Sequence, residues 1–291
     1  MDKLKREYER FGPWVTEILG DEDIPPQFES FTETILRSDL SCKIPVSVER
    51  RELKPGMVFY DTVISLAGNH MVIWTLQPDG IDQQEIDITS IQYFQYAVAV
   101  LQGVLRCVTA QQTLSINFSS VELEPIDKIE QHIRDRYCPP EAKIRLEDIV
   151  AHENTEQSFL YEALLARAAK KEELKMITYQ PTIKMQRAHV SMMRRWRVVS
   201  EEFGLQDSAF LTNGRELIVL SRIQDMKAVK KSDYGYRSTY IPLSTIRTIF
   251  KEPVAKVAGL EDLSIVMENT RVVFRVEERF PMDILRKALQ L

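Results

Sequence analysis

Apolar residues alternate with polar or small ones at period two through long parts of this chain. In DTVISLAGNHMVIWTL (61–76), Val63 and Leu66 precede a turn at Gly68, and Met71 and Ile73 follow it. DSAFLTNGRELIVLSR (207–222) repeats the scheme: Ala209 and Leu211, a turn at Asn213-Gly214, then Leu217 and Val219. Such alternation predicts half-buried strands, and asparagine and glycine supply the positive φ that both central positions of a tight hairpin turn want.

The correspondence continues downstream. EIDITSIQYF (85–94) matches YIPLSTIRTIF (240–250), and the spacing between copies lengthens only inside the polar connection KAVKKSDYGYRST. Loops tolerate such insertions at small cost. LRCVTAQQTLSINF (105–118) and LSIVMENTRVVFRV (263–276) then read as paired hairpins, with Leu114, Ile116 and Phe118 opposite Val272, Phe274 and Val276. Each copy closes with a helix, opened by Pro125 or Pro281 and carrying the stripe Ile126, Ile129, Ile133 or Met282, Leu285, Leu289. Four segments recurring in one order predict a duplication. In each copy, one amphipathic helix would cover the open end of a bent sheet or barrel.

The second copy resembles the bacterial pleckstrin-homology-like and GRAM group in Phe210-Leu211-Thr212-Asn213-Gly214-Arg215 and Ile241-Pro242-Leu243-Ser244-Thr245-Ile246. The first copy is more divergent: Ala67-Gly68-Asn69 replaces the Thr-Asn element, and Asp87 stands where proline would be. The resemblance covers about two-thirds of the chain and implies an α+β, mainly β fold. It would comprise two pleckstrin-homology-like antiparallel β-barrel or sandwich modules, at 42–138 and 184–291, each closed by a C-terminal helix. A helical N-terminal arm at 1–41 and a helical connector at 139–183 complete the expected organisation. In the connector, Asn154 and Gln157 suit a capped helix start, and Phe159, Leu160 and Leu164 lie on its apolar face as a candidate interaction helix.

Composition narrows the class of job. The N-terminus MDKLKREYERF lacks an apolar leader region and no run is long enough to span a membrane, so the expectation is a cytoplasmic protein. Cys42, Cys107 and Cys138 are odd in number and widely spaced, which suits reduced thiols. The net charge of −5 is unevenly spread: residues 1–175 hold 19 Lys+Arg and 30 Asp+Glu, −11, whereas residues 176–291 hold 19 and 13, +6. Such asymmetry suits different partners for the two halves, and equally suits drift on solvated faces.

No nucleotide-binding, zincin or CxxC motif occurs, and the four histidines have no ligand spacing, so no catalytic, metal or cofactor residue is nominated. His132 reads as a surface helix residue. The features above background are basic. Arg194, Arg195 and Arg197 flank Trp196, and the inserted loop holds Lys227, Lys230, Lys231 and Arg237. Guanidinium pairs with phosphate and indole settles at an interface, so these eight residues are the candidate anion or lipid site. By the resemblance, the inserted loop is the candidate ligand loop; otherwise it is a solvated hairpin tip. The expected function is non-catalytic binding or scaffolding of a protein partner, self-association included. The alternative is peripheral recruitment to anionic lipid headgroups at the inner membrane face, with nucleic acid a distant third.

Overall fold

A computed structural model of the chain describes residues 8–9, 11–46, 52, 54, 56–138, 144–149, 172–191, 197–228, 235–255 and 257–291. For 186–191, 197–202 and 227–228 it describes the backbone alone. The chain splits into two compact units. Unit 1 holds residues up to Ile91, with Val98–Cys107 and Thr113–Pro139; unit 2 holds Gln92–Ala97, Val108–Gln112 and Pro140–Leu291.

Unit 1 is built on the antiparallel order β1-β2-β3-β4-β5, from Thr16–Glu17, Leu40–Pro45, Tyr60–Ala67, His70–Gln77 and Gly80–Asp87. Gly68 makes the β3–β4 turn with φ 54°, as its place between two alternating runs predicts. Strands β6 (Ile91–Ala99), β7 (Gln102–Thr109) and β8 (Thr113–Ser119) follow in the order β8-β7-β6. The expected N-terminal helical arm is not seen among the described residues. Over 11–41 they hold two 3-10 turns and then a helical turn and a half, α1 (Thr32–Arg37). The prolines Pro13, Pro25 and Pro26 interrupt the helical run. The apolar residues of this segment instead enter the core of unit 1: Ile18, Ile24, Phe28 and Ile35 pack with Val63 and Trp74. Helix α2 (Glu124–Tyr137) buries the predicted stripe Ile126, Ile129 and Ile133. It also buries Glu130 and Arg134, which pair at 3.4 Å.

Unit 2 begins its sheet with strand β9 (Lys175–Gln180), in a region expected to belong to the connector helix. Of that connector, a turn at Leu146–Asp148 and this strand are described; Phe159, Leu160 and Leu164 lie outside the described residues. Beside β9 come β12 (Ser208–Thr212), β13 (Glu216–Arg222) and β15 (Tyr236–Pro242), and beyond β15 lies the 92–97 stretch of β6. Strands β10 (Ile183–Ser191), β11 (Arg197–Leu205) and β14 (Met226–Ala228) make a separate three-stranded sheet, and β16 (Thr248–Pro253), β17 (Leu260–Val266) and β18 (Arg271–Glu277) make another. Helix α3 (Met282–Leu289) buries Leu285 and Leu289 in a core with Ile177, Phe210, Val219, Phe274 and Phe280.

The pair of closed modules expected from the sequence is therefore corrected. Among the described residues the strands form four open antiparallel sheets, and no barrel closes. The physical reason lies in β6. Its middle segment is taken up by β15, with Phe94 stacked on Tyr240 at 5.9 Å and Gln95 donating to Thr239 Oγ1 at 3.2 Å. What survives is the duplicated order of elements. β2-β3-β4-β5, then β6-β7-β8 and a helix, recurs as β9-β12-β13-β15, then β16-β17-β18 and a helix.

Candidate interaction surface

Of the eight basic-site residues, Arg194, Arg195, Trp196, Lys230 and Lys231 lie outside the described residues. Arg197 opens β11 opposite Ser191, while Lys227 in β14 faces Gly204 near the other end of β11. Seven strand steps separate those positions, roughly 23 Å at the usual rise, so these two backbone positions do not converge. Arg237 sits in β15 rather than at a loop tip. Its guanidinium donates to Asp225 Oδ1 at 3.1 Å and to Ser221 Oγ at 3.2 Å, and lies 5.8 Å from the Phe274 ring centre. This cation is committed inside unit 2.

Arg237 belongs to a polar seam that sequence reasoning missed. Register places Gln180, Ser208, Ser221 and Arg237 in one row across four strands. Around one end of that row, Asp207 pairs with Arg222 at 3.4 Å and accepts from Tyr179 at 3.2 Å, while Arg275 donates to Asp262 at 2.9 Å. Gln180 Oε1 accepts from Glu277 N at 2.9 Å and so ties β9 to β18. Burial raises the Asp225 carboxyl above its ordinary range, against the opposing pull of Arg237 and Arg275. Asp207, Ser208, Ser221, Arg222, Asp225 and Arg275 line a cavity of about 10 Å³, into which the partnerless Ser208 Oγ is buried. That is room for one water, not for a substrate. The alternating signs make the seam a structural clamp. The signal was present in the sequence as arginine or aspartate at strand ends, but charges at strand ends usually face solvent.

Unit 1 presents a different surface. The turn between β6 and β7 exposes Val100 (71%) and Leu101 (63%), and the turn after β8 exposes Val121 (56%). Ser120 fastens the two turns together, its N donating to Leu101 O at 3.1 Å and its Oγ to Val100 O at 2.8 Å. Val100 adopts φ 54°. A β-branched residue in the left-handed region is strained, by about 1–3 kcal/mol, and persists only where its surroundings hold it. Glu122 and Glu124 are exposed alongside, so the apolar tip carries an acidic rim. The sequence hid this tip, because YAVAVL reads as an uninterrupted apolar strand.

The remaining chemistry is quiet. Burial pushes the Cys42 and Cys107 thiols up to about 12. His132 is half-buried with Nε2 enclosed, not a surface residue, and burial together with Arg136 holds its pKa below the ordinary value. Among the described residues no group of His, Cys, Asp or Glu is arranged to hold a metal, and no helix is long and apolar enough to cross a membrane. Comparison with protein-family models finds no match, and comparison with curated proteins finds no relative.

Proposed function

We propose that this chain is a non-catalytic binding or scaffold protein that docks other proteins through exposed parts of its β units. The observation carrying this reading is the apolar tip Val100-Leu101-Val121, stapled by Ser120 and holding a valine at φ 54°. Three large apolar side chains set in water gain by meeting a partner's apolar surface, at about 25 cal/mol per Å² covered. The rigid turn keeps the ordering cost of that meeting low.

The test is proximity crosslinking and co-purification of partners with the full chain, set beside a Leu101→Asp chain of equal thermal stability. Loss of the recovered partners in the variant supports the tip as a docking point. The same partners in equal yield from both chains overturn it. A parallel flotation with anionic and neutral vesicles addresses lipid recruitment, and salt-sensitive flotation on anionic vesicles alone would replace the protein-docking reading with the lipid one.

A further inference from the structure

Resting on the protein-docking reading, we infer that strand β5 of unit 1 is a docking edge for an extended, basic segment of a partner protein, which adds to the sheet as a further strand. The duplicated element order supplies the first part of the case. β5 and β15 hold the same position, last in the order of their copy's first sheet. On β15 that edge is occupied, because the 92–97 stretch of β6 pairs with it. On β5 the same edge borders no strand among the described residues. Among the described residues the repeat thus contains one filled and one unfilled instance of the same edge.

The backbone of β5 is set up to receive a strand. Ile88 N donates to Asn69 O at 2.7 Å, in register with the β4–β5 pairs. Antiparallel ladders alternate inward and outward groups, so the N–H and C=O of Ile81 and Gln83 point away from β4. The pairing runs from His70↔Asp87 to Gln77↔Gly80 without a register shift. Natural edges are usually blunted by charged side chains, lysine above all, by proline or by a bulge. β5 has no proline, lysine or bulge, and the charges it does carry are all acidic, which keeps like strands off and leaves basic ones favoured. The corresponding edge of copy two's second sheet shows what blunting looks like. β16 carries Lys251 and ends at Pro253, and its Ile249 carbonyl accepts from Arg286 Nη2 at 2.7 Å.

Charge selects the occupant. Asp79, Asp82 and Asp87 fall within residues 78–90, which contain no lysine or arginine, while Glu85 on the same strand is met by His70 at 3.1 Å. A second β5 laid antiparallel would bring like charges face to face, and such pairs are unfavourable. A segment alternating basic and apolar side chains meets the carboxylates and completes the ladder, the mode known for strand-adding peptide receptors.

The experiment is selection of a displayed library of random peptides, about ten residues long to match a strand, on the full chain. Retained peptides are then measured by fluorescence polarisation against wild type, Gln83→Pro, Gln83→Ala and the charge reversal Asp82→Lys. Gln83→Pro removes one outward N–H; Gln83→Ala keeps it while losing the bond that Gln83 Oε1 accepts from Trp74. The expected peptides are basic and lack central proline. Their affinity falls roughly tenfold or more with Gln83→Pro and with the charge reversal, stays within about threefold with Gln83→Ala, and weakens with salt. If Gln83→Pro proves unfolded, the charge reversal on the exposed strand decides alone. Selection of no peptide, of acidic peptides, or of peptides indifferent to both variants overturns the β5 assignment. Peptides indifferent at β5 but lost with Leu101→Asp would overturn it while leaving the protein-docking reading standing.

Discussion

The two copies share an order of elements and differ at their edges. In the second copy the first-sheet edge β15 is filled by β6, and the second-sheet edge β16 is capped by Arg286. In the first copy β5 borders no second strand among the described residues, and the 92–97 stretch of β6 pairs with β15 instead. Aligning the closing helices at Pro125 and Pro281 sets Glu130 against Arg286. In α2 that position turns inward to pair with Arg134; in α3 it reaches out to a strand carbonyl. A duplicated scaffold thus keeps its cores and puts its differences where backbone groups meet solvent.

The sharpest break in the comparison is a large-to-small change in one core. Phe274→Ala removes a ring, 1% exposed, that packs edge-on against Phe210 and lies beneath Arg237. It should cost about 3–5 kcal/mol. Trp74→Ala should cost a similar amount in unit 1. Urea unfolding followed by hydrogen exchange would show whether each loss stays within its own unit; equal loss of protection in both units would mean the cores melt together.

Asp207→Ala removes the buried carboxylate that pairs with Arg222 and accepts from Tyr179, and should cost about 3 kcal/mol, read as a lower urea midpoint. A cost under roughly 0.5 kcal/mol, the range of ordinary surface changes, would deny the seam its clamping role. Arg286→Ala uncovers Ile249 O and should cost about 1–2 kcal/mol. It should also turn β16 into a second usable edge, visible by light scattering as mass rising with protein concentration.

Opposite pH slopes give a gentler comparison. His132 in unit 1 has a lowered pKa, so its folded form disfavours the proton. Its contribution is complete above the ordinary 6.5 and is lost as pH falls through the lowered folded value. Asp225 in unit 2 has a raised pKa, so its contribution is complete below 3.8 and declines as pH rises through the raised folded value. His132→Gln and Asp225→Asn should each flatten one of these slopes in thermal melts taken across pH. The smallest expected effect is on the thiols: at neutral pH the native chain should resist alkylation at Cys42 and Cys107.

Local pattern was legible; long-range pairing was not. Period-two runs announced β3, β4, β12 and β13, although β12 and β13 are buried on both faces rather than one. The stripe Ile126-Ile129-Ile133 is buried as read, and of Met282-Leu285-Leu289 the two leucines are buried and Met282 half-buried. The recurring order of elements followed from those signals. Even so, the turn at Asn213-Gly214 works differently from expectation. Gly214 alone has positive φ, while the Asn213 side chain accepts from the N of Arg215 and Glu216 at 3.0 and 2.8 Å. IQYFQYA contains nothing that names β15 as its neighbour, because a sheet edge offers the same backbone groups to any strand. The seam failed to show for a related reason: Arg222, Arg237 and Arg275 become internal only once distant strands align. Val100 was concealed because torsional strain has no signature in hydropathy.

The division of β6 between the units has a consequence for synthesis. Residues 92–97 leave the ribosome well before Tyr236–Pro242, the strand they border, and at usual elongation rates that gap is roughly 7–30 s. Throughout that interval Phe94 and Tyr96 have no Tyr240 or Tyr236 to meet. Unit 2 is therefore made from chain on both sides of the first closing helix, and a cut after that helix would take from it the strand that borders β15.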